Sequence, residues 1–575
     1  MAKPISFGFP RSLVIKNKVD VILTLMLLAS IELTLFVTLT VSIPNYDLLK
    51  YPLGLTQQLP FSYWMAEFLS IFTLVLCIIN YNKMNIKIFN LITAIDYLLI
   101  TFNSFFIFYF INPVFILSRD ELGHAAEVFI LLTNKNTFAV KGIYQSDYPL
   151  SYIYGAISYL LSGISPSFLF LYLSPIFFPI FQNLTVYAFI RLFVKSPMSE
   201  IGALIYTLSS MPFFVAEWSP QLMSYNLLFP MFLVIGMIIK RGGVQLIPLM
   251  ILFSILTGLT DIGTFASSLV VISIMMVYLA KKWGINSRLI GYSAFATVSA
   301  YVYWVYFNPL ASGAVSGDKF LITNFINFIK DIFFPQTSTN LALPTQNLVA
   351  TFVPPSPYHF YGVLSKLLEG GIFLLFSIFS FILLRIRKQL NPDLRLIFLI
   401  GTGLLVMQSA IGIADNVSNV LTRMIPQTMV FYVIFILVYL LYVKLNKRKV
   451  VGFLFLASLI LNAPLSILGY TTIATSEHSP QSAFYGGMVL AKYGLSTIST
   501  YDFYKELYIY QGNIIPPMSL SGGSLKFGGD YVETLSLYFN GPNLKGYYNY
   551  YNGLVANYTI IYSSNDVIIA IPGIS

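Results

Sequence analysis

Residues 21–43 read VILTLMLLASIELTLFVTLTVSI, and this stretch sets the fold class of the whole chain. It carries one charged side chain, Glu32, in 23 residues. About 20 apolar residues in helical form cross a hydrocarbon core of roughly 30 Å. Basic residues precede the stretch and no small-residue cleavage site follows it, so we interpret it as an uncleaved first membrane helix rather than a signal peptide.

The composition extends this interpretation to all 575 residues. The chain is 57% hydrophobic and 10% charged, against about 25% charged residues in an ordinary soluble domain. These values exclude a soluble enzyme, a disordered chain and a disulfide scaffold, and the one cysteine, Cys77, excludes an intramolecular disulfide. Long apolar runs separated by short basic loops favour membrane helices over a membrane barrel.

Further apolar runs of similar length follow along the chain. Together with the weaker runs they predict an all-α polytopic membrane protein with about 11 to 14 transmembrane helices. The strong runs are 21–43, 61–81, 88–112, 167–190, 262–280, 286–306, 370–386, 396–413, 427–443 and 450–469, and the weaker ones are 150–164, 200–216, 223–239 and 244–259.

Basic residues in the short loops predict the orientation. The net charge of +10 therefore reflects the positive-inside pattern and indicates no nucleic-acid partner. The N-terminus is expected in the cytoplasm, and the segments 113–149, 307–369 and 470–575 outside. Residues 150–190 must then cross an odd number of times, so either 150–164 is interfacial or re-entrant or one basic flank breaks the rule. The residues expected in the cytoplasm are Lys83, Lys87, Arg191, Lys195, Lys240, Arg241, Lys281, Lys282, Arg385 to Lys388 and Lys444 to Lys449.

The last segment, 470–575, differs from the rest because it is rich in Tyr, Asn, Gly and Ser. Two stretches in it, Tyr558–Ser563 and Val567–Ile571, have the composition of short strands. We expect a small external α/β domain here.

The stretch 118–150, SRDELGHAAEVFILLTNKNTFAVKGIYQSDYPL, gathers ionisable side chains at the membrane surface. Asp120, His124 and Glu127 have the i, i+4, i+7 spacing that places them on one helix face, with Glu121 about 100° away. Such a face can form an acid/base or cation site. The alternative is an ordinary helix start, with acids favoured by the helix dipole and His124 simply exposed.

Three other polar positions have two interpretations each. Arg423, at the outer end of a predicted helix, either binds a phosphate bidentately or snorkels to water. Asp261 is either an acid at membrane depth or part of a turn between two short helices. Glu217 is better interpreted as a solvated acid beside Trp218. Glu32, Glu67 and Asp96 lie inside apolar runs, where packing between the first three helices is expected to satisfy them.

Several catalytic motifs are absent from the sequence. It has no P-loop, no dinucleotide-binding glycine pattern, no HExxH and no Cys/His metal spacing. ATP-driven transport by this chain and a Ser/His/Asp triad are therefore not expected.

The layout resembles the GT-C superfamily of integral-membrane glycosyltransferases. The matching features are the external loop with Asp120 and Glu121, the following His124, the entry Gly142, Tyr148, Pro149, Leu150 and Ser151 into the next segment, and the late Arg423 followed by Pro426. The resemblance covers roughly residues 88–470. Residues 1–87 would add a basic segment and two helices, and residues 88–306 would form the catalytic membrane module with the loop 118–149. Residues 307–369 would form an external loop, residues 370–469 the late helices, and residues 470–575 the external domain.

The resemblance implies an inverting transfer of a sugar from a polyprenyl-phosphate carrier on the outer face of the membrane. It assigns Asp120 as general base or ligand of a divalent cation such as Mg²⁺ or Mn²⁺, with His124 as a second ligand. Glu121 and His124 would assist catalysis, and Arg423 would bind the carrier phosphate. The other implied substrate-binding residues are Glu217, Asp147, Tyr148 and Glu127.

Two departures from the family pattern narrow the expected activity. The turn Leu259-Thr260-Asp261 has Asp where many members have His, which leaves its role open. No WWDYG-type motif is present, so the chain does not look like a catalytic oligosaccharyltransferase subunit. The sugar and the acceptor, whether protein, glycan or lipid, are not indicated.

Two other functions compete with this interpretation. A transporter or flippase would line a path through the bilayer with Glu32, Glu67, Asp96 and Asp261. A non-catalytic scaffold would use the external domain to bind a partner. The enzyme differs from both because it requires Asp120 and Arg423, 303 positions apart, to border one outward cavity.

Overall fold

The computed structural model describes residues 18–41, 55–107, 120–135, 148–210, 220–283, 357–414 and 418–442, and four short strands between 496 and 572. The predicted helices at 286–306 and 450–469 lie outside these ranges. The described part is mostly helical, so the predicted fold class is confirmed.

Three helices form the N-terminal layer. Helices α1 (Lys18–Thr40), α3 (Phe61–Ile79) and α4 (Ile86–Thr101) pack on one another, and the short α2 (Leu55–Gln58) precedes α3. The turn between α3 and α4 ends at Asn85, whose side chain accepts a hydrogen bond from the backbone N–H of Lys87 at 3.0 Å. This N-cap satisfies one of the first backbone donors of α4 and fixes where the helix begins.

The central region contains both short and long helices. In chain order they are α5 (Asp120–Asn134), α6 (Pro149–Ser162), α7 (Pro166–Phe168), a π-helical turn (Leu169–Leu173), α8 (Ser174–Phe193), α9 (Met198–Ser210), α10 (Pro220–Arg241), α11 (Ile247–Gly258) and α12 (Ile262–Trp283).

Three late helices complete the described bundle. They are α13 (Pro357–Ile386), α14 (Pro392–Ala414) and α15 (Ser418–Tyr442). Helix α13 begins at Pro357, ahead of the apolar run expected from residue 370, because a helix continues into polar sequence beyond the part that sits in lipid. Helix α15 likewise begins before its apolar run, so Arg423 lies within the helix.

Helix α15 is the central element of the core. Every residue from Met429 to Val438 is buried, and α15 contacts α8, α9, α13 and α14. The ring of Phe431 lies 5.4 Å from that of Phe189 and 4.7 Å from that of Phe232. A helix that is apolar all round is stable only inside a bundle, which explains its position.

The bundle has two chemically different ends. Lys240, near the end of α10, forms an ion pair with Asp393 at the start of α14 (3.3 Å) and lies 5.0 Å from the ring of Phe193 at the end of α8. These contacts bring the basic residues at or just after the ends of α8, α10 and α13 to one end of the bundle. We call it the basic end. The opposite end, called the far end below, contains the beginnings of α10, α12 and α15.

Six described helices are long and apolar enough to cross a membrane. They are Lys18–Thr40, Phe61–Ile79, Ile86–Ser104, Ile176–Phe193, Pro220–Arg241 and Gly263–Ala280. Helix α6 is not among them because its 14 residues span only about 21 Å. Both interpretations of 150–164 and its basic flanks stay predictions.

The C-terminal segment contains a four-stranded sheet in the order β1-β2-β4-β3. The strands are β1 (Ser496–Thr497), β2 (Gly523–Gly528), β3 (Tyr558–Ser563) and β4 (Val567–Pro572). Strands β1 and β2 pair parallel, and the other pairs are antiparallel. Both stretches expected to form strands do so, while the external position of this segment stays a prediction.

Candidate functional site

A buried histidine joins the first two helices of the candidate site. The Nδ1 atom of His124 on α5 lies 2.6 Å from the hydroxyl of Tyr152 on α6, and their ring centroids are 5.7 Å apart. His124 is 6% exposed and Tyr152 is fully buried. The alternative that His124 is an ordinary exposed residue is therefore wrong, because the imidazole is part of the contact between the helices.

The two helices run side by side in the same direction. His124 contacts Tyr152, and further along both helices, after five residues on α5 and seven on α6, Phe129 contacts Tyr159 at a centroid distance of 6.0 Å. Asp120 begins α5 four residues before His124, and Tyr148 precedes Tyr152 by the same number. Because the two helices are parallel, α5 and α6 begin at the same end of the pair.

The start of α6 is attached to a second loop. The backbone N–H of Leu150 donates to the carbonyl of Leu259 at 3.2 Å. Two residues later, Oδ2 of Asp261 accepts from the backbone N–H of Thr264 at 2.6 Å and caps α12. The interpretation of Asp261 as part of a turn is therefore the correct one, and this turn borders the beginning of α6.

Helix α10 starts beside the same turn. The hydroxyl of Ser224 donates to Oγ1 of Thr264 at 2.7 Å, which ties the first turn of α10 to that of α12. Glu217 precedes α10 by three residues and lies outside the described ranges, as does Asp147. Their predicted roles in substrate binding stay predictions.

Arg423 lies in the second turn of α15, at its far end. The helix is described there, but the Arg423 side chain is not. Pro426 follows within the helix, and a proline there removes a backbone hydrogen bond to the preceding turn. The next residues, Gln427 and Thr428, are buried, and Thr428 Oγ1 donates to Oε1 of Gln408 at 2.8 Å.

Three glutamine side chains lie inside the bundle. Gln182, Gln408 and Gln427 are all fully buried. Gln182 Oε1, Gln408 Nε2 and both amide atoms of Gln427 have no hydrogen-bond partner within the described structure. Buried polar atoms without a partner are costly, and each calls for a ligand or water. Sequence reasoning missed these glutamines, although a polar residue inside an apolar run is the signal that finds them.

The structure describes some of the site residues proposed from the sequence in full and others by their helix alone. His124, Glu127 and Tyr148 are described, and Glu127 is buried at 9% exposure. Asp120, Glu121 and Arg423 are placed by their helices alone. Tyr152 was missed, although Pro149 marks the first turn of the helix that carries it.

The metal prediction has limited support from the geometry. Within the described ranges no three His, Cys, Asp or Glu side chains are grouped to hold a metal ion. The Tyr152 hydroxyl contacts Nδ1 of His124, which holds the imidazole ring in place. Metal-binding histidines usually use the second nitrogen for such a hydrogen bond.

The acids inside the N-terminal helices have different surroundings. Glu32 is exposed on α1. The expectation that helix packing satisfies its carboxylate is therefore wrong. Glu67 and Asp96 are fully buried and interact electrostatically. Ser104 donates to Oε1 of Glu67 at 3.1 Å, but both Asp96 oxygens lack a hydrogen-bond partner among the described residues.

Replacing Gly155 with leucine is expected to separate α5 from α6. A Cβ atom at Gly155 would lie 2.8 Å from Cζ of Phe170 and 2.9 Å from Cγ2 of Val128. Overpacking of this kind costs about 1–3 kcal/mol, so the thermal transition should shift downward. Gly371→Leu is the control because a Cβ there meets nothing within 4 Å. Equal transition temperatures for the two variants would contradict the close contact.

Comparison with known proteins gives matches among solved structures. No family model matches the chain, and no curated protein does. The apo oligosaccharyltransferase of Archaeoglobus fulgidus matches with a TM-score of 0.44 and 13% identity over 78% of this chain. The chain spans 63% of that protein's length.

Two further matches are structures of the same enzyme from this organism. The form tethered to an acceptor peptide has a TM-score of 0.45 and 11% identity over 85% of this chain and 74% of its own. The complex of AglB with an inhibitory peptide and a dolichol-phosphate has a TM-score of 0.39 and 12% identity, covering 79% of this chain and 64% of its own. All three structures are of archaeal oligosaccharyltransferases.

Proposed function

We propose that the chain is a membrane glycosyltransferase that transfers a sugar from a polyprenyl-phosphate carrier to an acceptor on the outer face of the membrane. The observation that carries the proposal is the attachment of α5 to α6 through His124 and Tyr152. This contact joins α5, which begins at Asp120, to α6, whose first turn is attached to Leu259. Asp120, the acid that the resemblance implies as general base, is thus the first residue of a helix anchored at the far end of the bundle.

The proposed reaction is a single displacement with inversion. A hydroxyl or amide group of the acceptor attacks the anomeric carbon, and the bond from that carbon to the phosphate oxygen breaks. The departing polyprenyl phosphate keeps the bonding electrons, and Asp120 takes the proton of the acceptor. Arg423 binds the negative charge that develops on the phosphate.

Glu121, His124 and the other proposed residues have supporting roles. His124 orients the first turns of α5 through Tyr152, and Glu121 lies beside the base in sequence. Tyr148, Glu127, Asp147 and Glu217 are proposed to contact the sugar or the acceptor. If Mg²⁺ or Mn²⁺ binds, it would supply Lewis-acid charge for the phosphate, and Asp120 and His124 are its proposed ligands.

The polarity of the bundle supports a sugar-phosphate substrate. Pocket residues that recognise a sugar need amide and hydroxyl groups directed inward. The far-end half provides Gln182, Gln408 and Gln427 with amide atoms that await a partner. The sugar-phosphate group of the donor is therefore favoured at the far end, with the prenyl chain of the donor in the bilayer.

The proposal is tested by a transfer assay with the full chain in liposomes. The donor is a short-chain polyprenyl-phosphate sugar, and release of polyprenyl phosphate is measured with candidate peptide, glycan and lipid acceptors. Acceptor-dependent release supports the enzyme. Uptake of solute into the liposomes without release, lost when Glu67 and Asp96 are neutralised, would support a transporter. Absence of both activities in the folded chain would favour a scaffold.

Tyr152→Phe is expected to reduce activity while the protein stays folded. The variant removes the 2.6 Å contact with Nδ1 of His124 but keeps the ring. Losing one buried hydrogen bond costs about 0.5–1.5 kcal/mol, which corresponds to a loss of up to about tenfold in kcat. Tyr159→Phe is the matched control, because the Tyr159 ring contacts Phe129 further from the site. Unchanged kcat in Tyr152→Phe would contradict a positioning role for His124.

A further inference from the structure

A cleft opens between α3, α4, α8 and α9 in the basic half of the bundle. Its volume is about 350 Å³, within the range of roughly 300–1,000 Å³ found for small-ligand sites. Its lining includes Asn90 and Leu98 of α4, Leu184, Tyr187 and Arg191 of α8, and Glu200 of α9.

The cleft changes from polar to apolar along its length. Asn90 and Arg191 lie toward the basic end. Leu98 lies eight residues beyond Asn90, about 12 Å deeper, and Leu184 lies about 10 Å from Arg191 along α8. Leu98 and Leu184 are 41% and 46% exposed although they line the cleft. The cleft therefore opens sideways, toward the hydrocarbon of the bilayer.

The acid at the cleft is satisfied from within the protein. Glu200 is 7% exposed. Its Oε1 accepts hydrogen bonds from the hydroxyls of Tyr187 (3.0 Å) and Ser196 (2.6 Å), and its Oε2 accepts from Ser199 (2.8 Å). The three hydroxyls disperse the carboxylate charge inside the protein, so Glu200 is a poor partner for a cation from outside.

The cation at the cleft is directed outward. Arg191 is exposed and donates one hydrogen bond, from Nη1 to the Tyr187 hydroxyl at 2.6 Å. A guanidinium has five N–H donors in a planar fork that matches two phosphate oxygens. The exposed Lys87 and Lys195 stand one turn from Asn90 and Arg191 on the same helices or the loop that follows. With Glu200 internally satisfied, the local charge that remains is positive.

We propose that this cleft binds an anionic membrane lipid. The phosphate of the lipid pairs with Arg191, and one hydrocarbon chain lies between α4 and α8 against Leu98 and Leu184. The positive-inside rule predicts that the lipid belongs to the cytoplasmic leaflet, opposite the proposed catalytic end. The site is independent of the proposed glycosyltransferase function.

The test is native mass spectrometry of the purified full chain with two lipids of the same chain length. Dioleoylphosphatidylglycerol is the anionic probe, and dioleoylphosphatidylcholine is the zwitterionic one. Arg191→Gln is expected to weaken phosphatidylglycerol binding about tenfold, since one charge-assisted contact is lost. Arg241→Gln is the matched control, an exposed arginine at the same end but outside the cleft. It should bind like the unchanged protein.

A second variant tests the apolar part of the cleft. Ala94 lines the cleft and is exposed, so Ala94→Phe fills the space without disturbing the core. This variant is expected to lose phosphatidylglycerol binding while its thermal transition stays unchanged. The proposal is overturned if Arg191→Gln binds phosphatidylglycerol as tightly as Arg241→Gln does. Equal affinity for both lipids, or full binding by Ala94→Phe, overturns it as well.

Discussion

Asp120→Asn is expected to lower the rate of sugar transfer by about 10²–10⁴-fold, the usual contribution of a general base. The amide keeps the size of the carboxylate, but it cannot accept the proton of the acceptor. Since the His124–Tyr152 contact holds the helix independently, the variant should fold and insert normally. The measurement is kcat for release of polyprenyl phosphate in liposomes.

The control for this variant is Asp393→Asn at the opposite end of the bundle. It makes the same chemical change and removes the charge that pairs with Lys240, an ion pair near the surface that is worth about 0–1 kcal/mol. It should leave transfer unchanged. Full activity in Asp120→Asn would remove Asp120 from the mechanism, whatever the control shows.

Arg423→Gln is expected to lower kcat by about 10²–10³-fold, as the loss of a group that stabilises developing negative charge does. Arg423→Lys should lie between this variant and the unchanged enzyme, because lysine keeps the charge but cannot bind phosphate bidentately. Both variants should keep their thermal transitions, since the core of α15 begins beyond them at Met429.

An exposed arginine at the basic end provides the comparison for Arg423. Arg395→Gln removes one positive charge from α14 and should leave kcat unchanged. If Arg423→Gln behaves like Arg395→Gln, the side chain of Arg423 only snorkels to water, and the proposed phosphate site is lost.

The sequence predicts the helical class and several local features well. Apolar runs near 20 residues identify helices such as Lys18–Thr40 and Phe61–Ile79, since the length of a spanning helix is fixed by the bilayer. The strands Tyr558–Ser563 and Val567–Pro572 follow from their β-branched and aromatic residues. The turn at Asp261 follows from its flanking glycines and the capping ability of aspartate.

The arrangement of the candidate site could not be predicted in the same way. Helix periodicity places Asp120, His124 and Glu127 on one face but does not say what that face contacts. The partner of His124 is Tyr152, 28 residues away, and the anchor of α6 is Leu259, more than 100 residues away. Contacts at such separations depend on how helices pack, which is decided by close contacts like that at Gly155.

The acids in the N-terminal helices illustrate a second reason. Glu32, Glu67 and Asp96 look alike in sequence, as single acids inside apolar runs. In the structure Glu32 is exposed, whereas Glu67 and Asp96 are buried together. The side of a helix that faces the bundle depends on its neighbours when both sides are apolar, so composition alone cannot separate these cases.

The most direct test of the account is the position of Asp120 and Arg423 around a bound donor. An experimental structure of the full chain with a non-hydrolysable polyprenyl-phosphonate sugar provides it. We expect the guanidinium of Arg423 within about 3 Å of the phosphonate oxygens. The Asp120 carboxylate should border the same outward cavity, on the side of the anomeric carbon opposite the phosphonate. Asp120 and Arg423 on separate surfaces, with the donor bound at neither, would contradict the proposed glycosyltransferase.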